Sequence, residues 1–497
     1  MSEQEGGWGR LMRGGILWSN ASFVATRAVS MLALLVLARL LTPSEFGVVA
    51  AVTVYVALIE LGADLGMKAT VVYEQEHGHT PRVQSAFTLN LIISAALTGI
   101  GVLLAPVIAD FFRIGDEVGL FRLAALNPLI RGLGNIHDAL LMRDMAFRRR
   151  SIPEFVMAAV RAATSIPLAA LGFGAESIVI GLLAGSAAWT IVHWVLTPLR
   201  PNLSFDPAIV RTMIGYGGGA SALSVISAVA LRVDQAVIGR VLGERALGLY
   251  TIAFRLPELL IESIAWNVSR VAFPGLARQR VADEEGLTAA AARIVHFQSL
   301  YAVPLAVGIA VLGPPLVVVL FGPKWEPAGG VASAVAVTAG LSAVAFPLGD
   351  IFKAVGRQRV LVALNVIQLP IYVAAVILVA PAGIVAVAWT RAGIELVHTV
   401  LVGLTATRAL AARMRIFLAA AGPSLVAGLG VLAGAGAVRL LWSDLALVPL
   451  LAGFIAGGAA GALSLRLLAP AAFAELGALV MQLRRTSRPE VPAAEGR

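Results

Sequence analysis

Arg27, Arg131 and Arg255 stand inside runs of otherwise apolar residues, and carboxylates accompany them at helical spacings. Glu60 and Asp64 are four residues apart, hence on one helical face. Arg131, Asn135 and Asp138 share a stripe, and Arg255, Glu258 and Glu262 share another at i, i+3 and i+7, with Pro257 between. A guanidinium is a planar fork of N–H donors suited to phosphate oxygens, and several of them in a low dielectric attract a polyanion. Carboxylates beside them can hold a proton or a sodium ion. The chemistry this pattern suits is the holding and moving of ions rather than bond making. His77, His79, His193, His296 and His398 are scattered, with no metal-ligand spacing of the HExxH kind. No nucleophile–base constellation and no phosphate loop GxxxxGK[ST] is present, so neither a metal nor any other cofactor is expected, and an enzyme reading is poor.

Such charges must be positioned by the elements around them, and these are apolar. Fourteen stretches are predicted as helices, at about 16–38, 46–66, 85–109, 118–141, 154–172, 175–197, 215–238, 246–268, 294–320, 329–352, 360–380, 383–407, 416–438 and 445–465. A helix needs roughly 20 apolar residues to cross the bilayer core, so most of them qualify. Lys and Arg gather in alternate gaps, from Arg10 and Arg13 through the cluster Arg143, Arg148, Arg149, Arg150 to Arg484, Arg485 and Arg488. The opposite gaps hold only Arg39, Arg113, Arg240, Arg245, Lys324 and Arg439. A missed span would invert everything after it, so the alternation supports a multi-pass inner-membrane protein with both termini in the cytoplasm.

Composition agrees. Of 497 residues 59% are hydrophobic and 13% charged, far from soluble averages. The net charge of +9 is spread over the cytoplasmic segments rather than gathered on one face, which argues against nucleic acid as a partner. The absence of cysteine removes disulfides, thiol catalysis and Cys-based metal sites.

Each buried charge has two readings. Arg255–Glu258 and Arg391–Glu395 suit ion pairs that tie helices together. Asp64, Asp138, Arg232 and Asp234 lie near span ends and can reach the interface by snorkelling. Arg27 and Arg131 have no opposite charge at i±4, which favours a water-filled cavity. Pro128, Pro167, Pro257, Pro304, Pro314, Pro315, Pro347 and Pro370 interrupt spans and favour bent helices that can rock. An ungapped match at a spacing of 201 residues aligns Val36–Gly47 with Val237–Gly248, with four identities in twelve positions. Both pieces sit at the exit of a span, the first and the seventh. The expected plan is a lobe over 1–200 (spans 1–6), a lobe over 201–410 (spans 7–12), an extra helix pair over 411–470, and a cytoplasmic tail over 471–497 that opens with an amphipathic stretch.

The segment Leu41-Thr-Pro-Ser-Glu-Phe-Gly47-Val-Val-Ala, continuing through Leu61-Gly-Ala-Asp64-Leu-Gly66, resembles the polysaccharide-transporter branch of the MOP flippase superfamily. So does Leu242-Gly-Glu-Arg-Ala-Leu-Gly248-Leu-Tyr250, running into Arg270-Val-Ala-Phe-Pro274. That branch contains Wzx-type flippases of lipid-linked oligosaccharides and their colanic-acid and teichuronic-acid relatives. The resemblance implies an all-α integral membrane fold of about fourteen transmembrane helices, a MATE-like two-lobe bundle of six plus six with a C-terminal pair. It implies translocation of an undecaprenyl-diphosphate-linked glycan across the inner membrane by alternating access. Energy would come from an ion gradient of H+ or Na+, a partner, or the substrate's own gradient. By position in the helices, Arg27, Arg131 and Arg255 would hold the pyrophosphate and sugar. Glu60, Asp64, Asp138, Glu258 and Glu262 would be the cavity or ion-coupling carboxylates. A polysaccharide polymerase and a chain-length regulator would be partners. The alternatives are a cation or drug antiporter of the same superfamily, which would favour an acidic, aromatic cavity, and a membrane-embedded glycan polymerase or ligase, which would normally carry a long periplasmic loop.

Overall fold

The computed structural model describes residues 22–60, 81–144, 146–207, 232–282, 284–410, 412–442 and 444–486. The chain divides into two compact units, Met1–Thr251 and Ile252–Arg497. Regular structure among the described residues is helical.

Unit one carries α1 (Ser22–Leu40), α2 (Pro43–Glu60), α3 (Pro81–Phe111), a short α4 (Val118–Ala124), α5 (Asn127–Arg143), α6 (Phe147–Ala170), α7 (Gly174–Leu196), α8 (Val233–Leu242) and α9 (Glu244–Pro257), which continues into unit two. α5 packs between α3 and α7, and α6 lies along α7. Small residues make these approaches possible. A Cβ at Gly132 would crowd Ser94 of α3, one at Gly134 the Trp189 ring of α7, and one at Gly181 the Ser165 hydroxyl of α6. Helices surrounded by lipid associate through such close backbone packing rather than through a hydrophobic drive.

Unit two carries a π turn (Glu258–Glu262), α10 (Ser263–Ala282), α11 (Glu284–Phe321), α12 (Gly329–Ala354), α13 (Gln358–Val379), α14 (Ile384–Ala409), α15 (Met414–Leu441), α16 (Leu447–Leu468) and α17 (Pro470–Thr486). α11 packs on α12 and α15, and α14 on α12. One apolar core joins Leu276, Leu287, Val295, Ile351, Phe352 and Phe417. α15 and α16 form a tight pair, with Gly430 and Gly434 set against Ala456, Ala460 and Gly461. α17 is the expected amphipathic stretch. Ala472 and Leu476 join a small core with Leu300, Ala427 and Leu465, and Glu475 lies 3.3 Å from His296 Nε2.

Eleven helices among the described residues are long and apolar enough to cross a membrane. They coincide with eleven of the fourteen predicted stretches. The stretch 215–238 lies mostly outside the described residues. The stretch 118–141 is broken: the helix stops at Ala124 and restarts at Asn127, with Pro128 in its first turn, where a missing N–H costs nothing. The stretch 246–268 is interrupted by the π turn that follows Pro257. The Tyr301 hydroxyl lies 3.0 Å from the Leu260 carbonyl and 2.6 Å from that of Ile261, supplying a donor where the helical pattern fails.

The 201-residue match is also a contact. At the start of α2, Thr42 and Glu45 form a capping box. Glu45 Oε2 accepts the Thr42 N–H at 2.6 Å, and Thr42 Oγ1 accepts the Glu45 N–H at 3.3 Å. Pro43 occupies the first helical position. The matched corner between α8 and α9 turns on Gly243, whose φ of +84° suits glycine. The two corners pack reciprocally: a Cβ at Gly47 would overlap the Glu244 carbonyl, and one at Gly248 would overlap the Pro43 carbonyl. Gly47 and Gly248 are equivalent in the sequence match, and so are Pro43 and Glu244. Each glycine therefore admits the helix start of the other copy, as a local two-fold requires.

Beside this contact, the turn Gly115–Glu117 brings Glu117 close to Glu176 and Glu244, which open α7 and α9. Burial first, then Glu176, Glu244 and Asp116, hold the Glu117 carboxyl above the ordinary carboxylate range.

Two predictions follow from these corners. Gly47→Ala and Gly248→Ala each force a methyl group onto a backbone carbonyl and should cost about 1–3 kcal/mol, read as a lower thermal midpoint of the purified protein. The double variant should cost less than the two single losses together, because both act on one contact. Gly99→Ala, with nothing within 4 Å of its added Cβ, is the control and should be neutral or slightly stabilising. For Glu117 the folded-state value is raised, so its contribution to stability is full below the unfolded value and is lost as pH rises through the raised one. The thermal midpoint of the wild type should fall between about pH 4 and pH 7 relative to Glu117→Gln, which removes the titration.

Candidate functional site

The interior of unit one holds a connected polar group along α5. Asn127, at the start of that helix, donates to Glu60 Oε1 of α2 at 2.6 Å and accepts from the Ser186 hydroxyl of α7 at 2.6 Å. One turn on stands Arg131. Its guanidinium lies 4.4 Å from the centroid of the Trp189 ring, and Nη1 is 3.5 Å from the Met157 sulfur. Among the described residues no carboxylate is within ion-pair distance of it. Trp189 is 1% exposed, and its indole N–H donates to Glu154 Oε1 of α6 at 3.0 Å. Gly134 supplies the space the ring occupies. The cation is thus held by an aromatic face, an interaction that strengthens as water is removed and consumes few of its N–H donors.

Asp138 belongs to a different group. It is 4% exposed, and its Oδ1 accepts from Arg150 Nε at 2.7 Å. His193 Nε2 approaches the same oxygen at 3.7 Å.

In unit two the charges lie around the π turn. Arg255 Nη1 is 3.4 Å from Glu258 Oε2, both side chains being well exposed. Glu262 interacts attractively with Arg391 and repulsively with Glu258 and Glu395. Arg391 lies 5.0 Å over the Phe254 ring and 5.9 Å over that of Tyr372, and Glu395 Oε1 accepts from the Ser342 hydroxyl at 2.8 Å. The Asp350 carboxylate of α12 accepts from Ser269 and from Lys353. No cluster of three or more potential metal ligands occurs among the described residues.

With this arrangement in view, comparison with known proteins is decisive at the level of family. Residues 36–329 match the family described as polysaccharide biosynthesis protein. The chain belongs to that family. It is 25% identical over 345 residues to the succinoglycan biosynthesis transport protein ExoT of Rhizobium meliloti, covering 69% of each chain. It is 23% identical to the lipopolysaccharide biosynthesis protein WzxC of Escherichia coli (73% and 74% covered), and 22% identical to the teichuronic acid biosynthesis protein TuaB of Bacillus subtilis (69% and 71%). Among solved structures, the lipid II flippase MurJ in an inward closed conformation superposes with a TM-score of 0.72 at 15% identity, covering 91% of this chain and 99% of that one. An inward-facing multidrug-resistance MATE transporter of the MOP superfamily gives 0.63 at 16% identity, covering 78% and 94%. The resemblance read from the Leu41–Gly47 and Leu242–Gly248 segments is borne out. The fold is an all-α, multi-spanning bundle of the MATE and MurJ kind, in a protein of the bacterial inner membrane.

Within this polysaccharide biosynthesis family member, the structure distributes the predicted site residues over several local groups. Arg27 is exposed on α1, its guanidinium 5.3 Å from the Phe23 ring. Glu60 accepts from Asn127 at the start of α5, and Arg131, one turn further on, lies against Trp189. Asp138 is held by Arg150 rather than by Arg131, and Glu258 by Arg255. Asp64 lies outside the described residues. Sequence reasoning missed Trp189, Glu154 and His193. A tryptophan in an apolar run gives no signal of its own, and the helical stripe that singled out Arg131 is silent about α6 and α7.

The Arg131 platform is open to test. Trp189→Ala should destabilise by about 3–5 kcal/mol through lost volume and stacking. Glu154→Gln keeps an acceptor for the indole and should be near neutral, whereas Glu154→Leu strands a buried N–H and should cost about 1–3 kcal/mol. Thermal unfolding of the purified variants gives the ranking.

Proposed function

We propose that the protein is a flippase that moves an undecaprenyl-diphosphate-linked oligosaccharide, the repeat unit of a surface polysaccharide, from the cytoplasmic to the periplasmic leaflet. The observation that carries the reading is Arg131. A guanidinium inside a membrane protein that is stacked on Trp189, and not neutralised by a carboxylate among the described residues, keeps its N–H donors for a phosphate oxygen. The relatives point the same way, since each is a biosynthesis or transport protein of a polysaccharide.

The full proposal has fourteen spans in two six-helix lobes, 1–200 and 201–410, with the pair 411–470 and both termini in the cytoplasm. The lobes alternate access to a central path, and an ion gradient of H+ or Na+ drives the cycle. Arg27 and Arg255 join Arg131 in holding diphosphate and sugar, and Glu60, Asp64, Asp138, Glu258 and Glu262 carry the ion or line the path. A polysaccharide polymerase and a chain-length regulator receive the product. The alternation of Lys and Arg supports the orientation, and the bends at Ala124–Asn127 and Glu258–Glu262 give helices able to rock.

In a deletion strain, lipid-linked repeat units should accumulate facing the cytoplasm. Arg131→Ala, expressed at wild-type level, should reproduce that accumulation, and Arg131→Lys should restore transport only partly, because an ammonium neither stacks as a plane nor presents a fork. Normal glycan export in the deletion strain, with loss of cationic-dye efflux, would establish the antiporter instead.

A further inference from the structure

In unit one, two potential cations among the described residues face the Asp138 carboxylate. His193 is fully buried near the end of α7, and its Nδ1 lies 2.9 Å from the Trp189 carbonyl oxygen. A carbonyl oxygen can only accept, so Nδ1 carries the hydrogen and the neutral ring presents a lone pair at Nε2. That nitrogen has no hydrogen-bond partner, and it faces Asp138 Oδ1 at 3.7 Å. Asp138 is already committed: Arg150 Nε donates to Oδ1 at 2.7 Å and Nη2 lies 3.5 Å from Oδ2. Among the described residues, the other ionisable groups near the ring and its neighbour Trp189 are His137 and Arg131 on α5, Glu154 on α6 and Arg200 just after α7. Of these, Glu154 accepts from Trp189, and Arg200 is directed to the carbonyls of Thr197 and Leu199.

We propose that His193 and Asp138 form a proton-binding site, and that its occupancy decides whether Arg150 remains on Asp138 or swings free to take an anionic phosphate group. A proton added at Nε2 turns the 3.7 Å approach into a charge-assisted hydrogen bond once the ring or the carboxylate moves by about 0.8 Å. One buried negative charge then serves two cations, and one of them becomes the weaker partner. His193 cannot leave. Its side chain is 0% exposed, its Nδ1 is tied to Trp189, and its ring lies 4.0 Å from that of Trp189. Arg150 can leave, because its side chain is 40% exposed and it follows Arg148 and Arg149 on the first turns of α6. The exchange balances as one proton taken up and one guanidinium released. Losing the proton restores the neutral ring, and Asp138 reclaims Arg150.

The identity of the phosphate as that of a lipid-linked diphosphate rests on the flippase reading; the proton site does not. In that reading Arg150 stands in the segment that the charge alternation assigns to the cytoplasm, where such a substrate arrives.

The test uses the full-length purified protein and inorganic pyrophosphate as the probe. Wild-type binding should tighten as pH falls from 8 to 6, approaching about tenfold per pH unit, the limit for one linked proton. The probe's own titration is removed by reference to Asp138→Asn, in which no charge at position 138 holds Arg150 at any pH. His193→Gln offers a permanent N–H to Asp138 and should bind with no more pH dependence than Asp138→Asn. Arg150→Gln should bind weakly throughout. Retention of the wild-type pH dependence in His193→Gln would overturn the proposal. A second measurement needs no anion: in protein labelled with 15N-histidine, the His193 imidazolium should persist to higher pH in Arg150→Gln than in the wild type, because the carboxylate is no longer shared. An unmoved His193 titration overturns the proton site whatever the protein carries. A moved titration with no pyrophosphate binding at any pH leaves the proton site standing and removes both the Arg150 capture step and the support it lends to a diphosphate substrate.

Discussion

A guanidinium half-buried in a membrane protein has to be held by something, and what holds Arg131 is the face of an indole. Much of unit one's interior can be read as provision for that one contact. Trp189 must lie flat, so its N–H is anchored on Glu154 of α6, and the glycine at 134 leaves room for the ring. The close approach of α5 to α3 and α7 through Gly132 and Gly134 then brings the whole group into register. A carboxylate in place of the indole would be the stronger counter-ion, but it would also neutralise the charge. An aromatic face stabilises a cation while leaving the charge in place for a ligand. Arg255, by contrast, faces a carboxylate, Glu258.

The reciprocal corners at Gly47 and Gly248 show how far a weak sequence signal can be trusted when its residues make the contact. Four identities in twelve positions carry little statistical force, yet one of them is the glycine that each copy needs to admit the other's helix start. The two corners reach the same geometry by different chemistry. The first uses a capping box and Pro43, and the second uses a positive-φ glycine. What has been kept between the copies is the requirement for space, not the means of turning the chain.

Hydropathy alone located the eleven helices among the described residues that are long and apolar enough to cross a membrane, because burial in lipid is a property of composition along the chain. It misjudged continuity at 118–141 and 246–268, where what matters is the backbone hydrogen-bond ladder. Pro128 and Pro257 mark those places in the sequence, but the restart at Asn127 and the π turn held by Tyr301 depend on neighbours far along the chain. The site divides in the same way. Charges within one helical stripe were legible, so Arg131, Asp138 and the Arg255–Glu258 pair could be singled out. Their partners across helices, Trp189 for the first and Arg150 and His193 for the second, have no period linking them to α5 and emerged only from the packing of α6 and α7.

Arg131 and Asp138 share a helical stripe yet answer to different neighbours, and Trp189 is where their groups meet. Its ring face receives Arg131, its N–H reaches Glu154, and its backbone carbonyl accepts from His193. His193 is therefore hydrogen-bonded to the same residue that supports Arg131, across one helical turn. Because that bond fixes Nδ1 as the donor in either protonation state, the ring does not have to flip when Nε2 gains or loses a proton. The consequences fall on Asp138 and its exposed partner Arg150, while Trp189 stays in place. The stacked platform under Arg131 is thus insulated from the titration, and the mobile element is the arginine at the surface rather than the one in the interior.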